Sequence, residues 1–485
     1  VNVNWLRKIR FGSRTLRALP IATALVAAGT LALWWFSPPP TAAPRLPGTD
    51  GRVAAGGVAG GTNALAAGQV SRGTGVPATD TNAWPQFRGP HRDGIAQANV
   101  VPARDWGKTG PREVWNIECG EGYAGPAIAG GCVFLIDYDA TKKQNALRCL
   151  SLADGREIWR YAYPLALKRD HGMTRTVPGV SGDCVVAIDP KCNVLCVDAK
   201  TGALRWGLDM VREFGATVPP WYTGQCPLID GNVVVLAPGG PKALFVAVDL
   251  ASGRELWRTP NPRGWKMTHS SVMSMEFEGK RQYLYCASGG VASAFAGDGA
   301  PAWDYPDWKV NFATVPSPLV LSGNRIFLSG GYNAGSAMLQ LTNSANGIVP
   351  VTLFRLKAEV FGATQQTPID FDGHIYGVRA NGQFVCLSYD GSVRWSSPPG
   401  KDFGLGPFLG ATNVIYVMND SGTLTLIEAT PERYHPLAEA RVLKGRESWG
   451  PMAFANGRLL VRDFTRLACL DVSAASGDSL STASR

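Results

Sequence analysis

Five times this chain runs through a tight turn ending in glycine and places a tryptophan four positions later. The copies are Asp154-Gly155 with Trp159, Thr201-Gly202 with Trp206, Ser252-Gly253 with Trp257, Asp298-Gly299 with Trp303, and Asp390-Gly391 with Trp395. Successive glycines lie 47, 51, 46 and 92 residues apart, the last interval being two periods of 46. The skipped copy falls near Asn346-Gly347, with Phe354 in the aromatic role. A period of this size means stacked supersecondary units, each burying its apolar face on its neighbours.

Residues 226–259 show what one unit contains. Cys226-Pro-Leu-Ile229, Val233–Leu236, Leu244–Val248 and Glu255-Leu-Trp257 are β-rich runs, punctuated by Asp230-Gly231, Gly239-Gly240 and Ser252-Gly253. Short β runs separated by such turn pairs read as antiparallel strands. Four strands per period of this length make the blade of a β-propeller. The Trp falls on the outermost strand, where a large ring can pack between blades. The last unit, Gly457–Val461 then Leu467–Asp471, stops before any Gly-to-Trp strand, while an orphan strand of that type, Glu113-Val-Trp115, precedes the first full unit. The expectation is an all-β, eight-bladed propeller over 84–472, closed by its N-terminal strand so that no sheet edge is left at the seam. Seven blades is the alternative, if one of the degenerate units near 312–356 and 404–443 is an insertion.

These residues resemble a known family. The ending Cys196-Val-Asp198, Thr201-Gly202, Trp206 is similar to the pyrroloquinoline-quinone (PQQ) type propeller repeat. Trp84-Pro-Gln-Phe-Arg-Gly-Pro-His-Arg-Asp-Gly94 resembles the WPQFRG opening segment of planctomycete-type PQQ-like propellers. Thr223–Ile229, His374–Gly377 and Arg466–Asp471 add to the match. The resemblance implies one of two roles: a BamB-like binding scaffold, or a quinoprotein alcohol or aldose dehydrogenase using PQQ with Ca²⁺. The adjacent Cys-Cys pair that the resemblance would imply for such a dehydrogenase does not occur here, and neither does the Cys-x-x-Cys-His of covalent haem.

The net charge of +9 invites a nucleic-acid reading, but five of those charges are Arg7, Lys8, Arg10, Arg14 and Arg17. The rest of the chain carries about +4 with no basic stripe, which sets nucleic acid aside. The same five charges make residues 1–17 a basic cytoplasmic segment before an uncharged apolar run, 18–36. At 1.5 Å per residue that run gives roughly 28 Å of helix, enough to cross a bilayer core. The charge asymmetry predicts a signal-anchor with the propeller on the periplasmic side. Cleavage and secretion is the alternative. Residues 37–83, rich in Gly, Ala, Pro, Ser and Thr, are expected to be a flexible linker, and 473–485 a disordered tail. A first cysteine only at Cys119 departs from a lipoprotein anchor.

Cys149, Cys196, Cys386 and Cys469 recur at one place in their repeats, where Ala247 and Ala294 stand in other copies. A slot that takes Cys or Ala calls for a small buried apolar residue. A disulfide among Cys184, Cys192, Cys119 and Cys132 is the other reading. No zinc spacing occurs, so no metal site is expected.

Propeller ligands meet loops at one mouth of the channel. Here the loops between blades carry Arg169, His171, Arg175, Trp221, Trp265, Lys266, His269, Trp308, Lys309 and Asn311, with Gln365, Gln366 and Trp449 further on. Rings that stack and cations that pair with carboxylates would suit PQQ, a flat tricarboxylate. The five histidines form no metal or base motif. The sequence favours a monomeric, membrane-tethered scaffold whose partner is an envelope protein, peptide or glycan.

Overall fold

In the computed structural model, residues 23–33, 62–80, 82–96 and 100–474 are described. Residues 23–33 form a helix. The rest of the expected anchor over 18–36 lies outside the described residues, among which no helix is long and apolar enough to cross a membrane.

The propeller has eight blades, each of four antiparallel strands. Blade 2 is representative: Gly179–Ser181, Cys184–Ile188, Asn193–Asp198 and Leu204–Asp209 follow one another outwards in hydrogen-bonded order. The seam closes as expected, since Arg112–Glu118 pairs antiparallel with Arg466–Asp471 as the outer strand of blade 8.

The Gly-to-Trp signature works between blades. The glycine of each turn receives the aromatic ring of the preceding blade. A Cβ on Gly202 would stand 2.7 Å from Trp159, and one on Gly391 would stand 2.8 Å from Phe354, so Phe354 does fill the aromatic role. In five of the rings, Trp115, Trp159, Trp206, Trp257 and Trp395, the indole N–H then ties the two blades together, whereas Trp303 donates to Gln282 of its own blade. Trp159 donates to the carbonyl of Ala199 at 3.0 Å, and Trp206 to that of Leu250 at 2.9 Å. Gly347 departs from this pattern, because it turns a hairpin of two ten-residue strands and a Cβ there would meet nothing.

The cysteine slot has the same origin. Cys149, Cys196, Cys386 and Cys469 face Trp159, Trp206, Trp395 and Trp115 across the last two strands of their blades, next to a bulge. A large ring opposite leaves room only for a small side chain, and all four are fully buried. In blade 4 that slot is Ser293, opposite Trp303, rather than Ala294. All ten cysteines are free thiols, so the disulfide reading does not hold.

Two segments before blade 1 add to the ring. Residues 62–80, expected within the flexible linker, lie along blade 1 instead. Gln69–Arg72 pairs with Glu157–Pro164 as a fifth strand, and Leu65 is 1% exposed, beside Gly207 of blade 2. The opening segment runs inside the channel. Trp84 bridges Ile128, Pro85 accepts from Val180, and Ile95–Ala96 pairs parallel with the inner strand Phe408–Ala411. Arg88 donates to four carbonyls, those of Arg92, Asp93, Thr367 and Pro368, at 2.6–3.0 Å. Arg92 reaches the carbonyl of Pro227 at 2.9 Å. Burial pulls both guanidinium pKa values down to about 10, so both stay charged. The tail residues Ser473 and Ala474 lie against 101–102, and 475–485 are outside the described residues.

Candidate functional site

The inner strands of six blades follow directly on a proline: Pro126, Pro178, Pro227, Pro318, Pro368 and Pro407. Proline holds its own φ and keeps the residue before it extended, so the chain enters these inner strands the same way each time. The residue four positions before the inner strand therefore recurs at one place around the channel mouth. Those eight residues are Tyr123, Arg175, Gly224, His269, Val315, Gln365, Gly404 and Trp449. All but Gly404 line one cavity of about 320 Å³, and Leu405 represents blade 7 there. Phe87, from the segment inside the channel, also lines it, as do Cys226 and the loop residues His171, Trp221, Tyr332 and Gln366.

One wall is an aromatic group from blades 8 and 1. Tyr123 stacks on Trp449 at 5.2 Å, His171 lies 5.7 Å from Tyr123, and the Arg175 guanidinium stands 5.3 Å above the Tyr123 ring. Acidic groups hold these rings from outside the cavity. Tyr123 donates to Glu447 at 2.6 Å, and the Trp449 indole donates to Asp420 at 2.6 Å. Burial, and then the Glu447 hydrogen bond, push the Tyr123 phenol far above its ordinary range, so it remains a donor.

A second aromatic row, Trp221, Phe312 and Tyr332, follows the opposite rim, with 5.1 Å between successive centroids. All three have positive φ, at 59°, 82° and 54°. Bulky residues avoid that region, at a cost on the order of 1–3 kcal/mol each, and such strain gathers at ligand clamps.

The electrostatics are spare. Among the described residues, Arg175 is the sole Lys or Arg on the cavity lining, and no Asp or Glu lines it. Burial lowers the Arg175 pKa to about 10, leaving it charged. Burial, then the charge of Arg175, lowers His269 to about 3, so its imidazole is neutral. The Cys226 thiol is pushed up by burial; it receives the amide of Val177 at 3.2 Å and faces the carbonyl of Gly224 at 3.7 Å. A neutral imidazole and a high-pKa thiol so engaged do not form a nucleophilic pair.

Of the ten residues expected at the mouth, the cavity gathers His171, Arg175, Trp221 and His269, together with Gln365, Gln366 and Trp449. The other six lie elsewhere. Arg169 is exposed in a two-pronged ion pair with Glu121, at 2.9 and 2.6 Å. Trp265 is buried against Gly289, and Trp308 is buried against Gly330. Lys266, Lys309 and Asn311 are exposed and do not line the cavity. Tyr123, Phe87, Phe312 and Tyr332 were not anticipated. Tyr123 was within reach of sequence reasoning, since it precedes Pro126 by the same three residues that separate Arg175 from Pro178 and Gln365 from Pro368.

The lining does not fit PQQ with a divalent cation. Three carboxylates would face one guanidinium, and Ca²⁺ needs several oxygen ligands, normally including carboxylates, which this lining does not offer. Among the described residues no three His, Cys, Asp or Glu side chains converge on a metal-sized site.

Comparison with known proteins agrees with the architecture. No curated protein matches the sequence. Among solved structures, BamB from Moraxella catarrhalis superposes with a TM-score of 0.52 at 14% identity, over 74% of this chain and 99% of that one. A europium-containing methanol dehydrogenase gives 0.55 at 10% identity, over 78% and 89% of the two chains. The quinohemoprotein alcohol dehydrogenase ADHIIG from Pseudomonas putida HK5 gives 0.55 at 12% identity, over 84% and 83%. At such identities the likeness is one of fold, shared by BamB and by two dehydrogenases alike. The family profile described as outer membrane protein assembly factor BamB matches residues 142–397, more than half of the chain, and the protein therefore belongs to this family of PQQ-like propellers.

Proposed function

We propose that this protein is a non-catalytic binding module of the cell envelope, tethered by its apolar N-terminal segment, which takes a peptide or glycan ligand at the channel mouth. The observation that carries this reading is the set of equivalent positions, one per blade, that converge on a single cavity of aromatic rings, amides and one cation. Stacking surfaces with few fixed charges suit recognition. An acid, a base and a nucleophile in mutual reach, which a reaction needs, are not what this lining offers.

The test is a titration of the full chain in detergent with short oligosaccharides and tetrapeptides, followed by tryptophan fluorescence and thermal melting. Saturable binding lost in Trp449→Ala or Arg175→Ala supports the reading. Saturable binding of PQQ with Ca²⁺, abolished by Arg175→Ala and accompanied by dye-linked alcohol oxidation, would overturn it in favour of a quinoprotein oxidoreductase.

A further inference from the structure

The rim row of Trp221, Phe312 and Tyr332 is not explained by packing. Phe312 is 60% and Tyr332 40% exposed, yet both hold backbone conformations that glycine would adopt with less strain. Successive rings are tilted by 53° and 57°, so the row is not a slot for one flat molecule. It suits a ligand whose stacking faces turn from unit to unit at a similar spacing, as the rings of a sugar chain do.

The polar groups beside the row point to the same class. Gln365 and Gln366 line the cavity, and an amide both donates and accepts, as a hydroxyl does. His269 presents a buried Nδ1 with no hydrogen-bond partner. A neutral imidazole nitrogen can accept from a sugar hydroxyl or donate to one, according to its tautomer. Across the cavity, the Arg175 guanidinium is held by the carbonyls of Gly172 and His171 and has no carboxylate within ion-pair distance among the described residues.

Resting on the binding-module reading above, we infer that the ligand is an acidic oligosaccharide. Its successive rings lie along Trp221, Phe312 and Tyr332, its hydroxyls meet Gln365 and His269, and one of its carboxylates pairs with Arg175.

The experiment compares three probes on the full chain by calorimetry and tryptophan fluorescence: trigalacturonate, its carboxyl-reduced counterpart galactotriose, and a neutral tetrapeptide containing proline and tyrosine. Trigalacturonate is expected to bind about tenfold tighter than galactotriose, the size of one charge-assisted hydrogen bond. Arg175→Gln should erase that difference. Phe312→Gly should weaken both sugars without lowering the melting temperature, because glycine accepts a φ of 82° freely. Equal affinity for the two sugars overturns the acidic part of the inference. Peptide binding with no sugar binding overturns the inference and leaves the binding-module reading standing. If no probe of either class disturbs the tryptophans, both fall.

Discussion

In the turn Thr201-Gly202 the glycine serves a tryptophan from another repeat. It has a φ of 72°, and a Cβ there would press on Trp159, which is fully buried. Gly202→Ala meets two penalties: roughly 1–2 kcal/mol for a left-handed alanine and roughly 1–3 kcal/mol for overpacking. Gly182→Ala is the control, because Gly182 also has positive φ but open space around it. Urea unfolding should show Gly202→Ala as clearly the less stable of the two, and equal losses would remove the interblade role. Two buried groups give stability opposite slopes with pH. Burial raises Asp189 to about 6 against its hydrogen bonds from Asn193, Lys191 and Tyr163. Its folded pKa lies above the unfolded value of 3.8, so its contribution is fully present below 3.8 and is lost as pH rises through 6. His269, at about 3 against 6.5 unfolded, contributes above 6.5 and loses that contribution as pH falls toward 3. Asp189→Asn should therefore gain on the parent by roughly 2–3 kcal/mol between pH 4 and pH 7, measured as a difference of unfolding free energies.

At the scale of elements, the strand Gln69–Arg72 covers the outer edge of blade 1, which would otherwise present unpaired backbone groups. Deleting residues 62–80 should lower the melting temperature and promote self-association, visible by light scattering. An unchanged monomer would show that the added strand does not guard that edge. This element was hidden in the sequence for a physical reason. An edge strand needs only backbone hydrogen bonds, and the packing rests on few apolar side chains, Leu65 fully buried and Ala78 partly so, so composition there looks like a linker. The blades were legible because a Gly and an aromatic ring answer a steric demand that repeats at five of the eight interfaces. The closing strand was legible because Trp115 carries that demand without its own turn. The site was half legible. Loop length and polarity drew attention to Lys266 and Lys309, which are exposed and do not line the cavity. Position relative to the inner-strand proline was the better guide, and it picks out Tyr123, Arg175 and Gln365 alike.

At the scale of the whole molecule, the ring joins residues that are far apart along the chain. Arg112 of the closing strand contacts Asp471, 359 positions later, and Arg88 in the channel contacts Thr367, 279 positions later. Contacts of such separation carry a large loop-closure cost and form late. The segment inside the channel has a further consequence. A ribosome delivers residues 84–96 before any blade exists, and Arg88 meets the carbonyls of Thr367 and Pro368 only when blade 6 is in place. In the finished ring the segment is the hub that blades 1, 2, 3 and 6 grip at once, through Ile128, Val180, Pro227 and Thr367, so loosening it would slacken contacts on opposite sides of the circle together.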